Sequence, residues 1–403
     1  MNNRVCAQLG VEYPILAFSH CRDVVAAVTN AGGFGVLGGV VHSPERLEID
    51  LSWIESETRG RPFGVDLLLP ARYEGAERGG LEREAVRQLL PPEQQGFVDD
   101  ILRRYEVPPL PDDAGAAQSP LDLMRISPKG YEPLLDVAFA HRIRLIASAL
   151  GAPPPGLIER AHAAGVRVAA LAGNVAHAAR HKAAGVDLIV AQGTEAGGHT
   201  GEIATMVLVP DVVDAVGPTP VVAAGGIATG RQMAAAMALG AEGVWCGSVW
   251  LTTEEAETQP VVKQKFLRAS ASDTVRSRSL TGKPARMLRS AWSDEWDRRD
   301  APEPLAMPLQ GALIADAQRR IARSAASTPG AEQLASYFVG QVVGRLDRVR
   351  PARQVVLDMV TEYAEVLQRF ADEANAEAVA VASAEAGATA SADASAGEAE
   401  ADG

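Results

Sequence analysis

Eight short runs of Val, Ile, Leu and Ala punctuate the first 250 residues: Pro14–Ser19, Phe34–Gly39, Pro62–Leu69, Leu145–Leu150, Arg167–Ala172, Asp187–Gln192, Val221–Gly225 and Gly243–Ser248. They are nearly continuous in apolar character, with little alternation. Strands covered on both faces read this way, as in a parallel sheet whose crossovers are helices. The intervening stretches Asp23–Asn30, Pro44–Glu57, Pro154–Ala164, Val175–Ala184, Pro210–Val216 and Gly230–Leu239 supply those helices. Several end on glycine before the next strand, as in Asn30-Ala-Gly-Gly33, Ala163-Ala-Gly165, Ala183-Ala-Gly185 and Ala238-Leu-Gly240, the pattern of left-handed C-caps. Eight βα units within residues 1–300 predict an α/β fold, a TIM (β/α)8 barrel.

The spacing is uneven. About 75 residues lie between Leu69 and Leu145, too many for one turn and helix. A helical insert after strand 3, over residues 70–130, is therefore expected, with charged helical pieces at Leu81–Leu90 and Pro92–Tyr105 and a Pro/Ala/Asp-rich connector at Val107–Pro120. Leaving the C-terminal end of a barrel strand, it would overhang the catalytic face as a lid or remain a surface excursion. Residues 301–370 predict a C-terminal helical extension packing back over the barrel, amphipathic at Leu334–Val343 and Val355–Leu367. Residues 371–403 are almost entirely Ala, Glu, Ser, Gly and Asp, a composition that predicts disorder.

Composition narrows the class. A hydrophobic content of 47% with 22% charged residues suits a globular chain, and a net charge of −13 argues against a nucleic-acid surface. No apolar run is long enough to span a bilayer, and no secretory leader pattern opens the chain, so no membrane partner and a cytoplasmic location are expected. The three cysteines, Cys6, Cys21 and Cys246, show neither a disulfide framework nor zinc-ligand spacing. His177 and His181 stand four apart on one helix, but with no third ligand evident they read as a solvated helix face, and no metal is expected.

Three strand-to-glycine junctions carry the candidate chemistry. Gln192-Gly-Thr-Glu-Ala-Gly-Gly-His-Thr-Gly201 places His199 in a glycine-rich loop, the only side chain there able to move a proton near neutral pH. Ala224-Gly-Gly-Ile-Ala-Thr-Gly230 and Gly243-Val-Trp-Cys-Gly-Ser248 follow strands seven and eight, where barrels bind phosphate through main-chain N–H groups at a helix N-terminus. Gly225 and Gly226 would admit a phosphate, Thr229 would cap the helix, and Gly247 and Ser248 would complete the cradle. No dinucleotide fingerprint follows the first strand and no P-loop occurs, so a mononucleotide such as FMN fits better.

In order and spacing, those three junctions resemble the nitronate monooxygenase family, as do Ala26-Ala-Val-Thr-Asn-Ala-Gly-Gly-Phe-Gly35, Arg61-Pro-Phe-Gly-Val65 and Thr281-Gly-Lys-Pro-Ala-Arg286. The resemblance spans about residues 10–290 outside the insert. It implies an FMN-bearing barrel whose small-molecule substrate, an alkyl nitronate, reduces the flavin and whose flavin is reoxidised by O2, giving a carbonyl compound and nitrite. His199 would be the catalytic base, Gln192, Gly197 and Asp66 would contact the flavin, and Gly225, Gly226 and Trp245, Cys246, Gly247 and Ser248 would hold its phosphate. Two positions depart from the family pattern. Ala17-Phe-Ser-His20 stands where the family has a segment ending in a flavin-facing Met, so His20 would either replace that Met near the flavin or cap the following helix, and Asp66, where an Asn is usual, would either contact the flavin or pair with a nearby cation. A carboxylate there donates no hydrogen bond unless protonated. The run Thr205-Met-Val-Leu-Val209 is also similar to FMN-dependent enoyl-acyl-carrier-protein reductases, which implies NAD(P)H as reductant and a thioester substrate as the alternative. A non-enzymatic flavin-binding role is the third reading.

Overall fold

A computed structural model describes residues 3–69, 86, 88–111, 127–154 and 156–401. Eight parallel strands close into a barrel: β1 (Ile15–Ser19), β2 (Phe34–Gly38), β3 (Gly64–Leu68), β4 (Leu145–Ala149), β5 (Arg167–Ala172), β6 (Leu188–Gln192), β8 (Val221–Ala224) and β9 (Val244–Cys246), with β9 returning to β1. All eight expected strands are present, each inside its expected range. The side-chain period of two sorts them into two layers. Leu16, Phe34, Val36, Leu145, Ala147, Ala169, Leu188, Val190, Val222, Ala224 and Trp245 fill the lumen, while Ile15, Ala17, Val65, Ile146, Val168, Ile189, Ala223 and Cys246 face the surrounding helices.

A helix not expected from the sequence, α1 (Arg4–Leu9), closes the barrel floor. Asn3 caps it by accepting from the N–H of Cys6, and Val5 and Leu9 insert into the lumen cluster. The outer ring contains α2 (Arg22–Asn30), α3 (Pro44–Thr58), α5 (Pro128–Ala140), α6 (Leu157–Ala163), α7 (Val175–Ala183), α8 (Thr205–Val216) and α9 (Gly230–Ala238). Helix α5 follows the insert and packs on α3 and β3, so the insert ends before Pro128 rather than at residue 130. Pro133 in its second turn had masked a helical pattern of Tyr131, Leu134, Leu135 and Ala138, all buried. Helix α8 starts five residues before the expected Pro210, with that proline inside it.

Within the insert, α4 (Pro92–Arg104) matches its expected position, whereas Leu81–Leu90 and Val107–Pro120 fall largely outside the described residues. Helix α4 docks on the extension, which comprises α11 (Ala291–Trp296), α12 (Leu309–Ser324), α13 (Pro329–Leu334) and α14 (Ala352–Ala401), joined to the barrel by α10 (Pro260–Arg268). The carboxylate of Glu295 accepts from both terminal nitrogens of Arg104 at 2.7 Å and from the Tyr105 hydroxyl at 3.1 Å, and Phe97 packs edge-on against Trp296. Arg320 donates to the carbonyls of Val107 and Pro108.

Two expectations for the extension do not hold in detail. Leu334–Val343 is not a helix: α13 ends at Leu334, and the chain runs extended, with Phe338 bridged to Met287, before a short 3-10 turn at Gln341–Arg345. Helix α14 continues through residues 371–401, where composition predicts disorder; Ala and Glu are strong helix formers even where no core is available. A second, three-stranded antiparallel sheet orders β10 (Thr274–Ser277), β11 (Ala285–Leu288) and the two-residue β7 (Gly198–His199). Among the described residues no helix is long and apolar enough to cross a membrane.

Candidate active site

The site lies at the C-terminal ends of the barrel strands. His199 is fixed by the second sheet, in register with Ala285. Gly198 before it takes φ +75, a left-handed conformation that a side chain would resist. The Nδ1–H of His199 donates to the carbonyl of Pro284 at 3.3 Å, and Phe338 lies 6.3 Å from the ring between centroids. A carbonyl only accepts, so the proton is on Nδ1 and Nε2 keeps its lone pair. Burial pushes the imidazole down to about 4, with Lys283 adding to the effect and the Pro284 bond opposing it. At neutral pH the His199 imidazole is therefore uncharged.

The loop around it is braced from several directions. Both carboxylate oxygens of Glu195 accept from the N–H of Thr205 at the start of α8, and one accepts from its hydroxyl at 2.9 Å. The N–H of Gln341 donates to the Glu195 carbonyl at 2.9 Å, and the N–H of Gly340 donates to Ser248 Oγ at 2.8 Å. A Cβ on Gly197 would sit 2.8 Å from Gly340 N, so Gly197 is required by the C-terminal segment as well as by any ligand. The extension thus holds the histidine loop and the Ser248 turn together.

Gly225 (φ +94) and Gly226 (φ +73) turn the chain after β8. Among the described residues the N–H groups of Gly225, Gly226, Gly247 and Ser248 have no protein acceptor. They offer donors on two neighbouring strand ends, the requirement for a phosphate. Three N–H groups at the helix N-terminus behind them are already engaged. Thr229 caps α9 by accepting from the N–H of Gln232, the N–H of Ala228 donates to the Gln232 side chain, and the N–H of Gly230 donates to Glu362 of α14 at 2.8 Å. A phosphate-bearing mononucleotide fits the remaining glycine donors.

Toward the lumen, Gln192 ends β6 beside Ala224. Trp245 points inward and stacks on Phe18 at 6.3 Å, whereas Cys246 turns its thiol into the helix layer, where burial pushes it up to about 12. Only the main chain of Cys246 faces the site. Asp66, on β3 between Gly38 and Ala147, is buried, and desolvation pushes its carboxyl well above the usual range, so it favours the protonated form that can donate. His20 extends the Trp245–Phe18 row, edge-on to Phe18 at 5.1 Å, and its Nδ1–H donates to the Gly38 carbonyl at 2.8 Å. A Cβ at Gly38 would lie 2.5 Å from that nitrogen, so His20 fits only against glycine. Burial lowers its pKa too.

His181 lies elsewhere and is not on a solvated face: it is buried, and its Nε2–H donates to the Leu171 carbonyl at 3.1 Å. Glu195, Phe338, Gly340 and Arg276 are site-forming residues that the sequence reading did not single out.

The chain is similar to several known proteins over most of its length. The sequence model of the nitronate monooxygenase family matches residues 8–362. The Rv1533 protein of Mycobacterium tuberculosis, which bears a provisional monooxygenase name, is 69% identical over 369 residues, 91% of this chain and 98% of that one. A Staphylococcus saprophyticus protein with a provisional nitronate monooxygenase name is 29% identical over 92% of this chain and 99% of its own. Among solved structures, nitroalkane oxidase from Streptomyces ansochromogenes superposes with a TM-score of 0.74 at 27% identity, covering 89% of this chain and 98% of that one. FabK from Thermotoga maritima gives 0.68 at 27% identity, covering 93% and 99%.

Proposed function

Because the chain belongs to the nitronate monooxygenase family and is an FMN-dependent oxidoreductase of that flavin superfamily, we propose that it oxidises alkyl nitronates with O2 to a carbonyl compound and nitrite, with His199 as catalytic base. The observation that carries this reading is His199 Nε2: uncharged, free to accept a proton, and carried on a loop braced to the phosphate-binding strand ends. Bound FMN supplies the electron acceptor for the substrate and the route for those electrons to oxygen.

The protein residues do the rest. Gly225, Gly226, Gly247 and Ser248 bind the phosphate through their N–H groups. Gln192, Asp66 and Trp245 line the lumen side, where they orient the ring system and exclude water. His199 removes the α-proton of a neutral nitroalkane, while a preformed nitronate needs no such step. His20, its Nδ1 already engaged, presents the second neutral imidazole of the mouth and shapes the pocket at the end of β1.

His199→Ala tests the assignment. The variant is expected to retain FMN, lose about 10²–10⁴-fold in turnover of a neutral nitroalkane, and lose far less with the corresponding nitronate. Equal turnover of the neutral substrate would remove His199 as base. The likeness to FabK supports a second reading, an NAD(P)H-dependent enoyl-thioester reductase on the same barrel.

A further inference from the structure

Behind the histidine loop, Arg276 on β10 and Arg286 on β11 stand directly opposite one another in an antiparallel pair. Like charges in that arrangement repel, and Arg286 is buried with no carboxylate within ion-pair distance among the described residues. A neutral pair would serve the sheet better. What the arginines touch explains them. Arg286 Nε donates to the carbonyl of Thr194 at 2.8 Å and Nη1 to Thr274 Oγ1 at 3.0 Å, while Arg276 Nη2 donates to the carbonyl of Thr200 at 3.3 Å. Thr194 and Thr200 stand on either side of His199 in the loop between β6 and α8.

We propose that Arg276 and Arg286 are positioning residues that clamp the loop on either side of His199 and so hold the imidazole against Pro284. The loop contains Gly197 and Gly198, and its strand β7 is two residues long, too short to hold itself. Arginine suits the task because its planar fork reaches two acceptors at once, as Arg286 does with Thr194 and Thr274. The register puts Arg286 beside Gly198 and Ala285 beside His199, so the guanidinium lies on the face opposite the imidazole and leaves the catalytic side clear. The groups facing His199 are Lys283 and the Pro284 carbonyl from the β10–β11 connection and Phe338 from the C-terminal segment; Glu195 and Glu202 flank it on its own loop, with Glu202 reaching Arg276 at 3.8 Å.

The catalytic consequence rests on His199 being the base; the clamp itself does not. The test is the titration of His199 by NMR of ring-labelled histidine in the full-length protein as purified, assigned against His199→Ala, for Arg286→Met and Arg276→Met. Freed from the clamp, the ring gains water, and its midpoint is expected to rise by at least one unit from about 4 toward the ordinary 6.5. Turnover of a neutral nitroalkane is expected to fall at least tenfold with KM little changed, and Arg286→Lys is expected not to restore it, since one ammonium cannot replace the fork. An unmoved His199 titration in both variants would overturn the clamp whatever the activity. Should Arg286→Met fail to fold, Arg276→Met, whose side chain is partly exposed, decides alone. A wild-type enzyme inert toward nitroalkanes would instead remove the proposed function while the titration still judged the clamp.

Discussion

At neutral pH the imidazole of His199 carries no charge, and this fixes how both activity and stability respond to acid. As the proposed base, His199 would work only when unprotonated, so kcat/KM for a neutral nitroalkane should stay level down to about pH 5 and then fall with a midpoint near 4. Stability follows a different window. An unfolded histidine titrates near 6.5 and the folded one near 4, so between these values the unfolded chain binds a proton that the folded chain does not. The contribution is complete above 6.5 and lost as pH falls toward 4; thermal melts of His199→Asn should show a shallower acid decline than wild type, and parallel curves would contradict the burial. Asp66 runs the other way. Its raised pKa makes the folded form hold a proton that the unfolded chain gives up, so its cost grows as pH rises above the ordinary carboxylate range. Asp66→Asn should therefore stabilise the protein at pH 7–8, read as a higher Tm that vanishes at low pH. The place of His199 at a barrel strand exit was legible in the sequence because it is the sole imidazole in a glycine-rich loop after an apolar run. Arg276 and Phe338 were not, because their contacts with that loop span long separations in the chain.

Among the elements, the proposed phosphate turn after β8 gives the sharpest test. Gly226 takes φ +73, which branched residues resist, and its main chain belongs to the proposed cradle. Gly226→Val should release FMN, with affinity measured by fluorescence falling at least tenfold; full occupancy in that variant would refute the cradle. The barrel strands were readable because both their faces are apolar and each run ends at a turn. The second sheet was not, since β7 has two residues and no period can be seen in two. The extended segment after α13 also escaped: Leu334, Phe338 and Val342 follow helical spacing, yet pairing of Phe338 with Met287 decides its conformation.

Across the whole molecule, the insert after β3 and the C-terminal extension meet although some 190 residues separate them, as in the Arg104–Glu295 pair. Arg104 holds the Glu295 carboxyl below its usual range, helped by Arg298 and Tyr105. Glu295→Gln should therefore loosen α4 and speed tryptic cleavage at Arg103 and Arg104, which unchanged digestion would contradict. Neither partner could be matched from sequence, because each is an ordinary charged residue on its own helix. The extension also supplies Gly340 to Ser248 and Glu362 to Gly230, so the candidate cofactor end of the barrel is completed by chain far from the barrel motifs. The central claim, a nitronate-oxidising flavoenzyme, is tested most directly by anaerobic reduction of the FMN-loaded protein, following its visible flavin band. The band should bleach on addition of an alkyl nitronate alone and remain with NADPH alone. Bleaching by NADPH and indifference to nitronate would contradict the account and favour the enoyl-thioester reductase.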